Sequence, residues 1–207
     1  MSKLNVDYRL YLVTDKSLLG GRDLCQSIEE AIIGGATIIQ LREKDISTLD
    51  FYREALRVKE ITDKHNVPLI INDRLDIALA IDADGLHIGQ KDIPLGIARK
   101  LLGPDKLIGV SASTVELALL SEEGADYLGV GAVFATSTKN DAKAVAHSEV
   151  KRIKERVKIP VVAIGGINES NAASIMETGI DGISVVSAIL GKADVRKAAE
   201  TLRELIK

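Results

Sequence analysis

The sequence is poor in several residue types, and each shortage excludes a class of protein. A single cysteine cannot form an internal disulfide, so nothing requires an oxidising compartment. Aromatic residues make up 3% and tryptophan is absent, which argues against stacking platforms for nucleic-acid bases. The longest stretch without Asp, Glu, Lys or Arg is 12 residues, whereas a membrane-spanning helix needs about 20.

Charge of one sign is also lacking. The 27 basic residues nearly balance the 30 acidic ones and leave a net charge of −3, so no overall positive field attracts nucleic acid or an anionic membrane. The 207 residues, 46% of them apolar, are those of one globular domain with a large buried core. We therefore predict a cytoplasmic protein that binds neither nucleic acid nor membrane, and the sequence leaves a homo-oligomer open.

Short apolar runs rich in β-branched residues alternate eight times with longer segments of helical periodicity. The predicted strands are Arg9–Val13, Thr37–Leu41, Pro68–Ile71, Gly85–Ile88, Leu107–Val110, Tyr127–Val130, Val161–Ile164 and Gly182–Val186. The predicted helices are Asp23–Ile33, Thr48–His65, Leu75–Ala80, Pro94–Leu101, Val115–Glu122, Ser148–Val157, Glu169–Glu177 and Asp194–Leu205.

Eight βα units fit either a closed (β/α)8 barrel or an open doubly wound sheet. A dinucleotide-binding sheet would carry Gly-x-Gly-x-x-Gly after its first strand, but residues 14–21 are Thr-Asp-Lys-Ser-Leu-Leu-Gly-Gly. The repeat count also favours the barrel. We therefore predict an α/β protein with one (β/α)8 TIM barrel over residues 1–207, whose active site lies at the C-terminal ends of the strands.

The second predicted strand runs directly into three polar residues at alternate positions. If the extended backbone continues, Gln40, Arg42 and Lys44 share one face, while Leu41 faces the surrounding helices. Two cations and an amide that converge on the barrel mouth suit an oligophosphate. The alternative is a solvated loop in which the alternation arises by chance.

Two carboxylates follow neighbouring strands. Asn72 and Asp73 end the third strand, and Asp92 follows the fourth. Such a pair beside cationic phosphate ligands is typical of Mg²⁺, which keeps several waters and needs only one or two protein carboxylates. The alternative for each aspartate is a helix cap, since Asp92 precedes Ile93-Pro94.

Further polar and glycine residues follow strands five to eight. Ser111 could contact substrate or cap the next helix. The connection after strand six is long for a βα loop and supplies hydroxyls and a cation, as expected of a binding loop; these residues are Thr136, Thr138 and Lys139. Glycines after strand seven and the end of strand eight stand where such barrels recurrently bind phosphate; the candidates are Gly166, Val186 and Ser187. The alternative for the glycines is a plain turn.

Together these residues predict two phosphate sites in one mouth. Two such sites call for two phosphorylated substrates or for one bisphosphate, and they indicate group transfer. His87 lies inside the fourth strand, which indicates a barrel-interior or core position. The sequence contains no His/Cys spacing of the kind that is typical of zinc sites.

The ordered set of motifs resembles the thiamine-phosphate synthase family, and the resemblance extends from Tyr8 to the last helix. A short piece such as Gly-Gly-Ile occurs in many phosphate-binding barrels, whereas the whole set in this order is specific. The motifs are Tyr11–Asp15, Gln40–Lys44, Ile71–Arg74, Asp84–Gln90, Gly109–Ser111, Thr136–Lys139, Ile164–Ile167 and Val186–Ile189.

The resemblance implies a transferase that joins hydroxymethylpyrimidine diphosphate to hydroxyethylthiazole phosphate with Mg²⁺, giving thiamine phosphate and pyrophosphate. The implied metal ligands are Asp73 and Asp92. The implied ligands of the pyrimidine diphosphate are Gln40, Arg42, Lys44, Asn72, Ser111 and Lys139, of which Arg42, Lys44, Ser111 and Lys139 also act in catalysis. The implied thiazole-phosphate contacts are Thr136, Thr138, Gly166, Val186 and Ser187.

Two positions depart from the family pattern. Ala135 stands where many relatives have proline, and Ser113 stands where relatives often have histidine. A sister branch isomerises a thiazole phosphate, uses a histidine in that neighbourhood and lacks parts of the diphosphate clamp. A thiazole-phosphate isomerase on the same barrel and a non-catalytic phosphate sensor are therefore the alternatives, and the complete clamp favours the synthase.

Overall fold

The computed structural model describes residues 6–135 and 144–207. Eight parallel strands pair in sequence order, and β8 returns to pair with β1, so the sheet closes into a barrel. This confirms the predicted (β/α)8 fold. The strands are β1 Leu10–Val13, β2 Ile38–Leu41, β3 Leu69–Asn72, β4 Gly85–Ile88, β5 Leu107–Ala112, β6 Tyr127–Gly131, β7 Val161–Ile164 and β8 Gly182–Val185.

Helices connect the strands and surround the barrel. They are α1 Leu24–Ile33, α2 Thr48–Lys64, α3 Leu75–Ala80, α4 Leu95–Leu102, α5 Val115–Glu122, α6 His147–Arg156, α7 Ala172–Met176, α8 Ser187–Leu190 and α9 Val195–Leu205. Sequence patterns miss α8 and the 3₁₀ turn Lys16–Leu18, because a single turn is too short to show periodicity. Within the described part of the chain, no helix is long and apolar enough to span a membrane.

Alternate residues of each strand face two separate cores. On β2, Ile39 and Leu41 pack in the outer core under the helices, whereas Ile38 packs in the barrel interior. Tyr11 and Tyr127 also fill the interior. Because side chains alternate, a polar residue two positions beyond an interior side chain projects toward the barrel mouth.

The opposite, N-terminal end of the barrel is fastened by four similar contacts, which we call the basal clasps. Each contact joins the residue just before an even-numbered strand to a residue at the start of the odd-numbered strand before it. The side-chain oxygen of the first residue accepts the backbone N–H of the second, and the backbone N–H of the first donates to the carbonyl of the second. The side-chain bonds run from Leu10 to Thr37 (3.2 Å), Leu69 to Asp84 (3.0 Å), Ile108 to Asp126 (2.7 Å) and Val161 to Asp181 (2.7 Å).

Each aspartate of a basal clasp also meets a cation from the preceding even helix. Lys59 on α2 lies 3.8 Å from Asp84, Arg99 on α4 bonds Asp126, and Lys154 on α6 lies 2.6 Å from Asp181. The carboxylates are therefore both hydrogen-bonded and charge-paired, as partly buried charges need to be.

Candidate active site

Gln40 is anchored inside the barrel below the mouth. Its side chain is buried, and its amide nitrogen donates a hydrogen bond to the Tyr11 hydroxyl at 2.7 Å. The alternation within β2 places Leu41 under the helices and Gln40 in the interior, and the strand ends at Leu41. The shared face proposed for Gln40, Arg42 and Lys44 stays a prediction, because Arg42 and Lys44 follow the end of the strand.

Arg42 and Lys44 follow β2 at the mouth. The Arg42 backbone N–H donates to the Thr14 hydroxyl at 2.9 Å, which ties the end of β2 to the end of β1. Arg42 is half-buried and Lys44 is exposed. The positive charge of Lys44 acts on Asp73 and lowers that carboxyl's pKa, against larger opposing effects. The two groups therefore lie within electrostatic reach across the mouth.

Asp73 and Asp92 come together as the sequence predicts. Their side chains are in hydrogen-bond contact, and burial together with the Asp92 carboxylate raises the pKa of Asp73. Asp92 is held in place because its Oδ2 accepts the Gly89 backbone N–H at 2.7 Å. Two carboxylates in contact repel each other unless a proton or a cation lies between them. This arrangement calls for positive charge.

The helix-cap alternative is not seen for either aspartate. Helix α3 begins after Arg74 and α4 begins after Pro94, and neither of these residues makes a side-chain cap bond. Asp73 itself adopts φ +60°, a left-handed conformation that asparagine and aspartate tolerate best among residues with a Cβ. Strained backbone of this kind is concentrated at functional sites.

Ser111 lies at the mouth on β5 and does not cap α5, since Thr114 does so. The Ser111 hydroxyl lies 3.0 Å from His87 Nε2. The Gln90 amide donates to the Ser111 carbonyl at 2.8 Å and so fixes the end of the strand. His87 lies in the barrel interior, as its place within β4 predicts.

The turn after β7 requires glycine. Gly166 has φ +65°, and a Cβ there would lie 2.4 Å from the Ala135 carbonyl oxygen. The side-chain amides of Asn168 and Asn171 donate to the Gly166 carbonyl at 3.3 and 3.0 Å, so they hold the turn. Val186 precedes α8 and Ser187 begins it. The predicted glycine turn and the end of β8 therefore both lie at the mouth.

Three predicted residues, Thr136, Thr138 and Lys139, lie outside the described residues. The roles assigned to them stay predictions. Among the residues that the structure does describe, no group of three or more His, Cys, Asp or Glu side chains could hold a metal ion. Within the described ranges, the candidate ligands of a metal at the mouth are Asp73 and Asp92.

Sequence reasoning missed an acidic pair beside the mouth. Glu43 lies near Glu54 of α2, whose Oε1 pairs with Lys16 Nζ at 2.6 Å. One oxygen of each glutamate, Glu43 Oε1 and Glu54 Oε2, is buried without a hydrogen-bond partner among the described residues. Burial and the charge of Glu54 raise the pKa of Glu43 from 4.5 to about 7.

We expect Glu43 to make the protein less stable as pH rises from about 4.5 to about 7. In this range the unfolded chain has released the Glu43 proton while the folded protein retains it, so raising the pH favours unfolding. At pH 8, the free energy of unfolding of a Glu43→Gln variant should exceed that of the wild type by about 1 kcal/mol, a value that allows for the partial exposure of Glu43. Near pH 4 the two free energies should be equal.

Urea unfolding at both pH values measures this difference. Glu60→Gln, an exposed change on α2, is the matched control and should leave the pH dependence of the wild type in place. Equal stability of Glu43→Gln and the wild type at pH 8 would show that Glu43 titrates normally.

The fold and the site define a class of protein: a (β/α)8 barrel enzyme whose mouth carries a carboxylate pair, cations and a glycine turn. A family model described as thiamine monophosphate synthase matches residues 10–189. The chain belongs to this family, and it is accordingly a transferase of thiamine phosphate synthesis.

Similar proteins agree with this assignment. A thiamine-phosphate synthase of Clostridium acetobutylicum is 61% identical over 204 residues, 98% of this chain and 97% of the relative, and one of Clostridium tetani is 58% identical over 203 residues, 98% and 97%. A thiamine phosphate pyrophosphorylase structure from Pyrococcus furiosus superposes with a TM-score of 0.90 at 43% identity and covers 98% of this chain and 97% of that one. The isomerase interpretation is therefore not favoured.

Proposed function

We propose that this protein joins hydroxymethylpyrimidine diphosphate to hydroxyethylthiazole phosphate, releasing pyrophosphate and giving thiamine phosphate, with Mg²⁺ at the mouth. The observation that carries the proposal is the contact between Asp73 and Asp92, within reach of Lys44. It supports a site that holds a cation and a diphosphate together. Location in the cytoplasm and assembly of copies stay predictions.

The donor set fits Mg²⁺. Asp73 and Asp92 offer hard carboxylate oxygens, and two protein ligands suffice for an ion that completes its shell with water and phosphate. The raised pKa of Asp73, caused by burial and the neighbouring carboxylate, indicates that the pair is stabilised by added positive charge. When bound, Mg²⁺ would neutralise charge on the diphosphate.

The protein's own residues would then carry the rest of the reaction. Arg42 and Lys44, with Lys139, stabilise the negative charge that grows on pyrophosphate as the bond from its oxygen to the pyrimidine methylene breaks. The electron pair leaves with pyrophosphate, and the thiazole nitrogen supplies the pair for the new carbon–nitrogen bond. Gly166, Val186 and Ser187 would hold the thiazole phosphate near that carbon. No nucleophilic side chain is needed.

A direct coupling assay tests the proposal. The protein is mixed with both phosphorylated heterocycles, with Mg²⁺ or with a chelator, and thiamine phosphate and pyrophosphate are measured by chromatography. We expect both products in equal amounts and only with the metal. Product formed in the chelator would overturn the metal role, and no product in either condition would overturn the proposed reaction.

A further inference from the structure

Four hydrogen bonds join five side chains in a line through the barrel interior, from Gln40 below the mouth to Ser111 at the mouth. We call this line the interior chain. Gln40 Nε2 donates to the Tyr11 hydroxyl at 2.7 Å, the Tyr11 and Tyr127 hydroxyls are 2.7 Å apart, Tyr127 lies 3.1 Å from His87 Nδ1, and His87 Nε2 lies 3.0 Å from the Ser111 hydroxyl.

The barrel makes room for the interior chain. A Cβ on Gly109 of β5 would lie 2.1 Å from Tyr127 Cζ and 2.5 Å from His87 Nδ1, so only glycine fits there. Burial raises the pKa of the Tyr11 and Tyr127 hydroxyls above the usual value, and both therefore keep their protons. Each tyrosine hydroxyl can accept a hydrogen bond, and its own proton needs an acceptor.

These requirements give the interior chain a direction. Because an amide nitrogen only donates, Tyr11 accepts from Gln40 and passes its own proton to Tyr127. Tyr127 then donates to His87 Nδ1, so a neutral imidazole carries its proton on Nε2 and donates to Ser111. Two atoms are left for the mouth: the Gln40 Oε1, an acceptor, and the Ser111 O–H, a donor.

We propose that Tyr11, Tyr127 and His87 are positioning residues that fix this acceptor at Gln40 and this donor at Ser111, and so select the heterocycle that binds there. The inference rests on the proposed function. The ring that fits has an N–H donor at one edge and a lone-pair acceptor at another, as an aminopyrimidine has. A pyrimidine with a carbonyl in place of the amino group would set an acceptor against Gln40 Oε1.

The interior chain also prevents Gln40 from reorienting its amide to bind the oxo pyrimidine. Flipping the Gln40 amide would turn its oxygen toward Tyr11, and every hydrogen as far as Ser111 would then have to reverse to avoid a buried unpaired group. A site that leaves polar groups unpaired with the wrong ligand discriminates strongly, so we expect the wild type to favour the amino over the oxo pyrimidine diphosphate by at least about a hundredfold in kcat/KM.

A Tyr11→Phe variant tests the selection. It keeps the buried ring but frees the Gln40 amide, so the preference for the amino substrate should fall about tenfold while the KM for thiazole phosphate stays unchanged. Tyr8→Phe is the matched control: the Tyr8 ring packs on Tyr127, with centroids 5.3 Å apart, and its hydroxyl has no bond to the interior chain. Its preference should equal that of the wild type.

An equal loss of activity toward both pyrimidines in Tyr11→Phe would overturn the selecting role and leave a packing role. A second measurement needs no substrate. The ¹⁵N NMR shifts of the His87 ring in the unliganded protein should show the neutral form with the proton on Nε2. A proton on Nδ1 would overturn the direction of the interior chain. This result stands even if the coupling assay yields no product, in which case only the proposed function fails.

Discussion

An Asp73→Asn variant is expected to make thiamine phosphate about 10² to 10³ times more slowly than the wild type at the same Mg²⁺ concentration. Asparagine tolerates the left-handed backbone that Asp73 adopts at φ +60°, so the fold should be kept while one carboxylate charge is removed. With Asp92 alone, the proposed metal site should hold a divalent cation less tightly. The dependence of rate on Mg²⁺ should therefore move to higher concentration.

The measurement is a steady-state rate across a Mg²⁺ titration. Asp76→Asn is the matched control, because Asp76 is an exposed carboxylate on α3 that pairs with Arg74. It should lower activity less than about twofold, since exposed pairs contribute little. A wild-type rate for Asp73→Asn at every Mg²⁺ concentration would remove Asp73 from the metal site.

The second large effect is on stability. Asp126→Ala is expected to lower the free energy of unfolding by about 3 kcal/mol. The change leaves the Ile108 N–H without its 2.7 Å acceptor and leaves Arg99 without its carboxylate partner, and both groups are largely shielded from water. The basal clasp is at the end of the barrel opposite to the mouth, so kcat well below the melting temperature should stay near the wild-type value.

Urea unfolding and the kcat of the same preparation check this expectation. The matched control is Glu200→Ala, which removes a surface pair with Arg196 on α9 and should cost less than about 0.5 kcal/mol. If Asp126→Ala were as stable as this control, the basal clasps would be ordinary surface contacts.

The sequence predicts the strands closely because apolar β-branched runs mark them directly. Gly85–Ile88 and Val161–Ile164 have the predicted bounds at both ends. Helix α7 begins at Ala172 rather than at the predicted Glu169, because Asn168 and its neighbours form a turn in which side chains satisfy the backbone. Side-chain competition of this kind leaves no trace in hydrophobic periodicity.

The sequence predicts which residues follow the strand ends, but it does not predict which side chains meet across the barrel. Period-two alternation places Tyr11 and Tyr127 inside the barrel, but their contact depends on barrel closure, since 116 positions separate them in the chain. The same holds for Asp126. The sequence around it shows only a glycine that ends the preceding helix, whereas the hydrogen bond from Ile108 to Asp126 joins two different strands. Long-range partners of this kind are set by register and tilt.

The basal clasps divide the barrel into four modules. Each module is a helix and the two strands that follow it around the barrel, and the four helices are α2, α4, α6 and the last helix, α9. Arg203 of α9 pairs with Asp7 ahead of β1 at 2.9 Å, so the last helix contacts the segment before β1 and completes the first module. The carboxylates Asp73 and Asp92 belong to one module, and Gly166, Val186 and Ser187 to another. A circularly permuted chain that starts just before α2 would keep every module, including α9 with β1 and β2, within one continuous stretch. The boundaries between modules are therefore the natural places to recombine such barrels.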